Sequence, residues 1–211
     1  MCGDVLMTDE DELCCRCIGT LPRTEHHIKR ENRLEQLFAK DDKLVRGGAF
    51  CYYKRDTPFS NAIHEMKYGG RPEIGLQLGK MVAEEWLGST FFDDIDYLVP
   101  LPLHPHRLRV RGYNQAEWIA RGVAEKTGIA LDTKHLVRVV NNAQQAFMSD
   151  EERLALKDIF ALRDAEDFRG KHVLLIDDVV TTGSTMQRAM AVFHPVRQCR
   201  YSVLSLAIAS R

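Results

Sequence analysis

The sequence predicts an α/β fold built on a mostly parallel sheet. Two observations carry that expectation. From residue 95 onward, short apolar runs alternate with segments of helical periodicity. KHVLLID (171–177) is a continuous apolar run, the kind that a parallel sheet buries on both faces.

The elements follow in order. Residues 28 to 40 read as a helix with apolar Ile28, Leu34, Leu37 and Phe38. GGAFCYY reads as a strand after a glycine turn. Thr57-Pro58 pairs an N-cap with proline at the first helical position, opening a helix that runs to about Tyr68 and stops at Gly69-Gly70. A second helix, about Pro72 to Trp86, carries Ile74, Leu78, Met81, Val82 and Leu87 at helical spacing. IDYLVPLPL is a strand ending in prolines, and NQAEWIARGVAEKTG a helix closed by glycine. LVRVV is a short strand, and the polar stretch from 141 to 162 reads as a long loop with a helical turn. After KHVLLID come a helix, GSTMQRAMAVFH, and a last strand, YSVLSLAIA. The one expected boundary lies near residues 40 to 48, dividing a Cys-rich segment with its helix (1–40) from the main domain (41–211).

Composition excludes several function classes. The chain has 211 residues, 45% hydrophobic and 28% charged, as soluble globular proteins do. A net charge of -1 supplies no global field to recruit nucleic acid or anionic membrane. No apolar run approaches the roughly 20 residues of a membrane helix. MCGDVLMTDEDEL lacks the basic-then-apolar pattern of a signal peptide, so no membrane insertion and a cytoplasmic location are expected. There cysteines stay reduced or bind metal. Cys51 and Cys199 read as small buried hydrophobes.

VLLIDDVVTTGST (173–185) is the segment that carries chemistry. It puts Asp177 and Asp178 at the carboxyl end of a strand, where open α/β sheets bind ligands. Such carboxylates accept from hydroxyls or partner a magnesium ion. Gly183 lets the backbone approach a ligand, and first-turn amides with the hydroxyls of Thr181, Thr182, Ser184 and Thr185 suit a phosphate monoester. Acceptors beside phosphate donors describe a ribose 5-phosphate. An acidic pair before a helix can also be a mere cap, but the thirteen-residue combination argues for a site. Neither the Walker loop nor GxGxxG is present.

The segment resembles the phosphoribosyl-pyrophosphate (PRPP) motif of type I phosphoribosyltransferases. A wider resemblance, over residues 14 to 211, is to the ComF/GntX family. It is carried by MKYGG, by VPLPLHPHRLRVRGYNQAEWIA and by DDVVTTGST. That family includes competence proteins tied to DNA uptake, and its members are often labelled amidophosphoribosyltransferase-like.

The resemblance implies the type I phosphoribosyltransferase fold, with Asp177 and Asp178 on the ribose hydroxyls and residues Thr181 to Thr185 around the 5-phosphate. It puts the pyrophosphate loop at LHPHRLRVRGYNQ, which carries His104, His106, Arg107, Arg109 and Arg111. Arg111, Gly112, Asn114 and Gln115 form the family's RG(F/Y)NQ motif, in which Arg111 would meet the leaving group and Gly112 would allow close approach. Asn114 would cap the next helix. A solvated basic loop is the alternative. Lys67 would face the site, although a lysine at a helix end also suits the dipole, as does Arg71. Residues 138 to 160 resemble the flexible loop of this fold. Gln145 and Arg153 match its pattern, Leu156 replaces the expected asparagine, and Phe160 reads as core.

Cys14-x-x-Cys17 has the spacing with which two thiolates share a zinc ion, and Cys2 would add a third ligand. A cysteine preceding Met1, or Cys15, His26 or His27, would complete the shell of a structural zinc ribbon; otherwise no zinc binds. His26-His27 reads as a solvated helix start.

Three functions stay open: magnesium-dependent phosphoribosyl transfer from PRPP to an unidentified acceptor, a DNA-uptake factor binding single-stranded DNA or a partner protein, and a PRPP-sensing regulator. A glutamine-using enzyme is not expected, because about 40 leading residues cannot hold a glutaminase domain.

Overall fold

The computed structural model describes residues 2, 6–7, 10–139 and 159–209. Five strands form a parallel sheet in the order β1-β7-β6-β2-β3: β1 (Leu44–Tyr53), β2 (Tyr97–Pro100), β3 (Ala130–Leu131), β6 (His172–Val180) and β7 (Arg200–Ala209). A separate antiparallel pair joins β4 (Leu136–Val139) to β5 (Ile159–Leu162). LVRVV is thus a strand, but it belongs to this hairpin. The strand β5 occupies part of the stretch expected to be loop.

Alternation along the strands sorts the core into two layers. Leu174 and Ile176 of β6 meet α3 (Pro58–Tyr68), α4 (Glu73–Trp86) and α6 (Gln115–Thr127) on one face. Val173 and Leu175 meet α2 (Arg33–Leu37) and α7 (Ser184–Ala191) on the other. Both faces of β6 are buried, as its apolar run predicts. Cys51 and Cys199 are buried, as is Phe160.

Local chemistry explains the helix boundaries. Thr57 and Ser60 cap α3 reciprocally, with Pro58 in the first turn. Gly128 in the left-handed region closes α6. Helices α4 and α6 cross where both carry glycine. A Cβ on Gly79 would lie 2.2 Å from the Ile119 carbonyl oxygen, and one on Gly122 would lie 2.2 Å from that of Leu76.

The expected helix over residues 28–40 shrinks to α2, five residues long. The reason lies in the free edge of β1. Residues 22–26 run beside it: the Tyr52 amide donates to the Pro22 carbonyl and the Thr24 amide to that of Phe50. Asn32 then caps α2 through the Leu34 and Glu35 amides while its Nδ2 reaches the Gly47 carbonyl at 2.7 Å. Ile28 is left exposed. The histidines are not a solvated helix start either. His26 is 2% exposed and accepts from the Ala49 amide, while His27 stacks on Trp86 at 5.1 Å.

The short α1 (Cys15–Gly19) leads this segment, whose Leu13 and Leu21 share the core cluster of Phe50 and Phe59. Among the described residues, no helix is long and apolar enough to cross a membrane.

Candidate active site

Connectivity creates a crevice. From β2 the chain continues through α6 to β3; from β6 it continues through α7 to β7, in the opposite direction and on the opposite face. Ligands bind at such reversals, beyond the carboxyl ends of the strands. Pairing of β2 with β6 stops at Pro100 and Ile176, followed by one bond from the Leu101 amide to the Ile176 carbonyl. The strand β6 runs on to Val180 beside β7, three residues past the expected end. Asp177 and Asp178 therefore lie on the first stretch of β6 that β2 leaves uncovered.

A cleft of about 560 Å³ opens there. Adjacent strand residues point opposite ways, so the two carboxylates face different neighbours. Asp178 pairs with Lys67, the last turn of α3, at 2.9 Å. Asp177 lies near the Arg138 guanidinium of β4. Burial and the charge of Asp178 push the Asp177 carboxyl up to about 7, against the opposing pull of the Asp178 amide, Lys67 and Arg138. Asp177 accepts from the Asp178 amide at 2.8 Å, and Asp178 from the Val179 amide at 2.6 Å.

The loop after β6 forms a second, small recess of about 30 Å³ lined by Asp177 and residues 179–186. Gly183 makes the turn at φ 79°, and its Cα packs so close to the Phe38 ring that a Cβ would lie 2.9 Å from it. The Thr182 hydroxyl donates to the Ser184 hydroxyl at 3.2 Å. The Ser184 amide donates to Thr182 Oγ1 at 3.4 Å and the helix proper starts with the Gln187 amide donating to the Gly183 carbonyl, so the Thr185 and Met186 amides between them are available to an anion.

Opposite the carboxylates stands α5 (Pro105–Arg111), two turns of helix where the sequence suggested a loop. His104 caps it, Pro105 starts it, and Gly112 ends it at φ 81°. It buries none of its residues, so Arg107 and Arg111 are held at the cleft by the helix rather than by a core. Arg111 lies over the Tyr68 ring at 4.8 Å and donates to Gln115 Oε1 at 3.0 Å. Asn114 caps α6 through the Ala116 amide and anchors to the Leu101 carbonyl at 3.0 Å.

The cleft thus gathers Lys67, Arg107, Arg111, Asn114, Asp177 and Asp178, with Thr185 at its border with the recess. Gly112 does not line it. Arg71 points away and pairs with Glu12 at 2.5 Å. Gln145, Arg153 and Leu156 lie outside the described residues. Among the polar and aromatic lining residues, Tyr68 and Arg138 escaped the sequence reading, and Gln115, expected only as part of the RG(F/Y)NQ motif, is buried in the cleft wall. Arg138 had one signal, a lone charge inside an apolar strand. Its guanidinium lies over Phe160 at 5.3 Å, and burial and the nearby Arg107 charge pull its pKa down.

The cysteines sit elsewhere. The sulfurs of Cys2, Cys14 and Cys17 lie within 4.8 Å of one another, with Cys2 to Cys14 at 3.6 Å. They adjoin a groove at the Thr57–Phe59 end of α3, whereas Lys67 stands at its other end. At 1.5 Å per residue, that separation is about 15 Å. Neither His26 nor His27 belongs to the group.

The sequence is similar to those of known proteins. The Phosphoribosyl transferase domain family matches residues 110–208. The DNA utilization protein YhgH of Escherichia coli (strain K12) is 30% identical over 190 residues, covering 88% of this chain and 79% of that protein. The chain belongs to the ComF family. Competence protein ComFC of Bacillus subtilis is 25% identical to this ComF-family chain over 197 residues, 87% of it and 78% of ComFC. DNA utilization protein YhgH of Salmonella typhimurium is 35% identical over 133 residues, 61% of the ComF-family chain but only 58% of that relative. Among solved structures, the glutamine phosphoribosylpyrophosphate amidotransferase from B. subtilis aligns at TM-score 0.46 and 21% identity, over 67% of this chain and 30% of that one. The fold is that of the type I phosphoribosyltransferases, with a cysteine cluster at the N-terminal end.

Proposed function

We propose that the cleft binds a phosphoribosyl ligand, PRPP first among them, and transfers its phosphoribosyl group to an acceptor with magnesium as cofactor. One observation supports this above others. The Asp177–Asp178 pair lies between an anion-ready helix start and the guanidinium groups of Arg107, Arg111 and Arg138. The two carboxylates would accept from the ribose hydroxyls. Residues Thr181 to Thr185 would hold the 5-phosphate. As the acceptor bonds to ribose C1, the bond from C1 to pyrophosphate breaks and its electron pair leaves with the pyrophosphate. Arg107, Arg111 and Lys67 would stabilise that charge.

The residues present fit magnesium. Two half-buried carboxylates supply oxygen ligands only. Magnesium bound there would neutralise charge on the leaving group. The Cys2, Cys14 and Cys17 thiols likewise fit three positions of a structural zinc site.

The test is calorimetric titration of PRPP with magnesium into the native chain and Asp178→Asn, followed by assay of pyrophosphate release. Binding that Asp178→Asn weakens tenfold or more is the expected result. A folded native chain that binds no PRPP would sink the reading.

The names of the relatives and the arginine-rich α5, which buries none of its residues, favour a second reading, a DNA-handling factor without turnover. It predicts binding to single strands that falls steeply with salt.

A further inference from the structure

Gln115 is the first residue of α6, forms part of the cleft wall and is 1% exposed. Its Oε1 accepts from Arg111 Nη1 at 3.0 Å. Arginine only donates, so the amide orientation is set: oxygen towards Arg111, nitrogen away. That nitrogen is shielded from water and has no acceptor among the described residues. Buried amide donors almost always have one. Its neighbour Asn114 makes the contrast, since both ends of that amide are used in capping and anchoring α6. Local structure accounts for Asn114. It accounts for half of Gln115.

We propose that Gln115 is a ligand contact, whose Oε1 holds Arg111 in place while its Nε2 donates to an oxygen of the diphosphate end of the ligand. The inference rests on the phosphoribosyl reading and names a residue and a contact that reading does not. Position assigns the diphosphate end. Gln115, Arg107 and Arg111 stand on the α5–α6 side of the cleft, across from the α7 loop suited to the 5-phosphate. The Tyr68 ring and Gln115 Oε1 fix the Arg111 guanidinium from two directions. An oxyanion meeting that guanidinium lies next to the Gln115 amide as well.

Two variants separate contact from positioning. Gln115→Met removes both ends of the amide. Gln115→Glu keeps an acceptor for Arg111 and removes the donor. PRPP, inorganic pyrophosphate and ribose 5-phosphate, each with magnesium, are titrated into both variants and the native chain. Both variants are expected to lose at least tenfold in affinity for PRPP and pyrophosphate, with ribose 5-phosphate unchanged within twofold. Gln115→Met is expected to keep or raise the melting temperature, because it removes a buried unpaired donor. Native-like pyrophosphate binding by Gln115→Glu would overturn the contact and leave Gln115 as a positioning residue for Arg111. Equal weakening of all three ligands would overturn it too. A native chain that binds none of the three would overturn the phosphoribosyl reading and this contact together.

Discussion

Gly183→Ala tests how the loop after β6 is held. Gly183 sits at φ 79°, where a Cβ costs about 1–2 kcal/mol. The same Cβ would lie 2.9 Å from two Phe38 ring carbons and 3.5 Å from Leu37. Phe38 is 5% exposed and packed in the core beside Leu34, so its ring cannot simply swing away. Overpacking of this kind costs about 1–3 kcal/mol. The two effects together give roughly 2–5 kcal/mol. For a chain of this size each kcal/mol lowers the melting temperature by about 2–4 °C. Urea unfolding followed by fluorescence of the buried Trp86 measures the loss. A cycle with Phe38→Ala separates the parts: the steric share vanishes in the double variant and the backbone share stays. A loss below about 0.5 kcal/mol, or strict additivity of the two substitutions, would refute the claim that α2 buttresses the loop.

Three more outcomes follow from particular contacts. Lys67→Met should weaken PRPP binding about tenfold, since it strips Asp178 of its cation; titration alongside Arg71→Met, whose arginine pairs with Glu12, provides the control. Gly122→Ala should destabilise by about 1–3 kcal/mol in urea because its Cβ meets the Leu76 carbonyl, whereas Gly88→Ala, with open space around it, should be neutral. Burial lowers His26 and His172 from 6.5 to about 4. The unfolded chain then binds more protons between those values, so stability is full above pH 6.5 and is lost as pH falls towards 4. Urea midpoints from pH 7 to pH 4 check this, and His172→Gln should flatten the slope.

Much of the fold is legible in the chain itself. Strand β6, the capped start of α3 and the glycine end of α6 are local events, written in apolar runs, a Thr-Pro pair and a left-handed glycine. The DDVVTTGST segment is nine neighbouring residues, so resemblance found it and the structure placed it at a sheet reversal. Other features depend on partners distant in sequence. Residues 28–40 have helical periodicity, yet the preceding residues pair with the free edge of β1, and Asn32, tied to the Gly47 carbonyl, starts the helix only at Arg33. Likewise, no pattern around His26 reveals that Ala49, twenty-three residues away, donates to it.

The division has a physical reason. Sequence by itself determined the α/β class, the strands of the parallel sheet, helices α3, α4 and α6 and the DDVVTTGST segment, because these follow from patterns among near neighbours, whereas α2, α5 and β5 departed from it. Only tertiary structure decided that Lys67 would pair with Asp178, that Arg138 would join the cleft, and that Phe38 would brace Gly183. Burial, desolvation and close packing are properties of what surrounds a residue, and those surroundings exist only once distant segments meet.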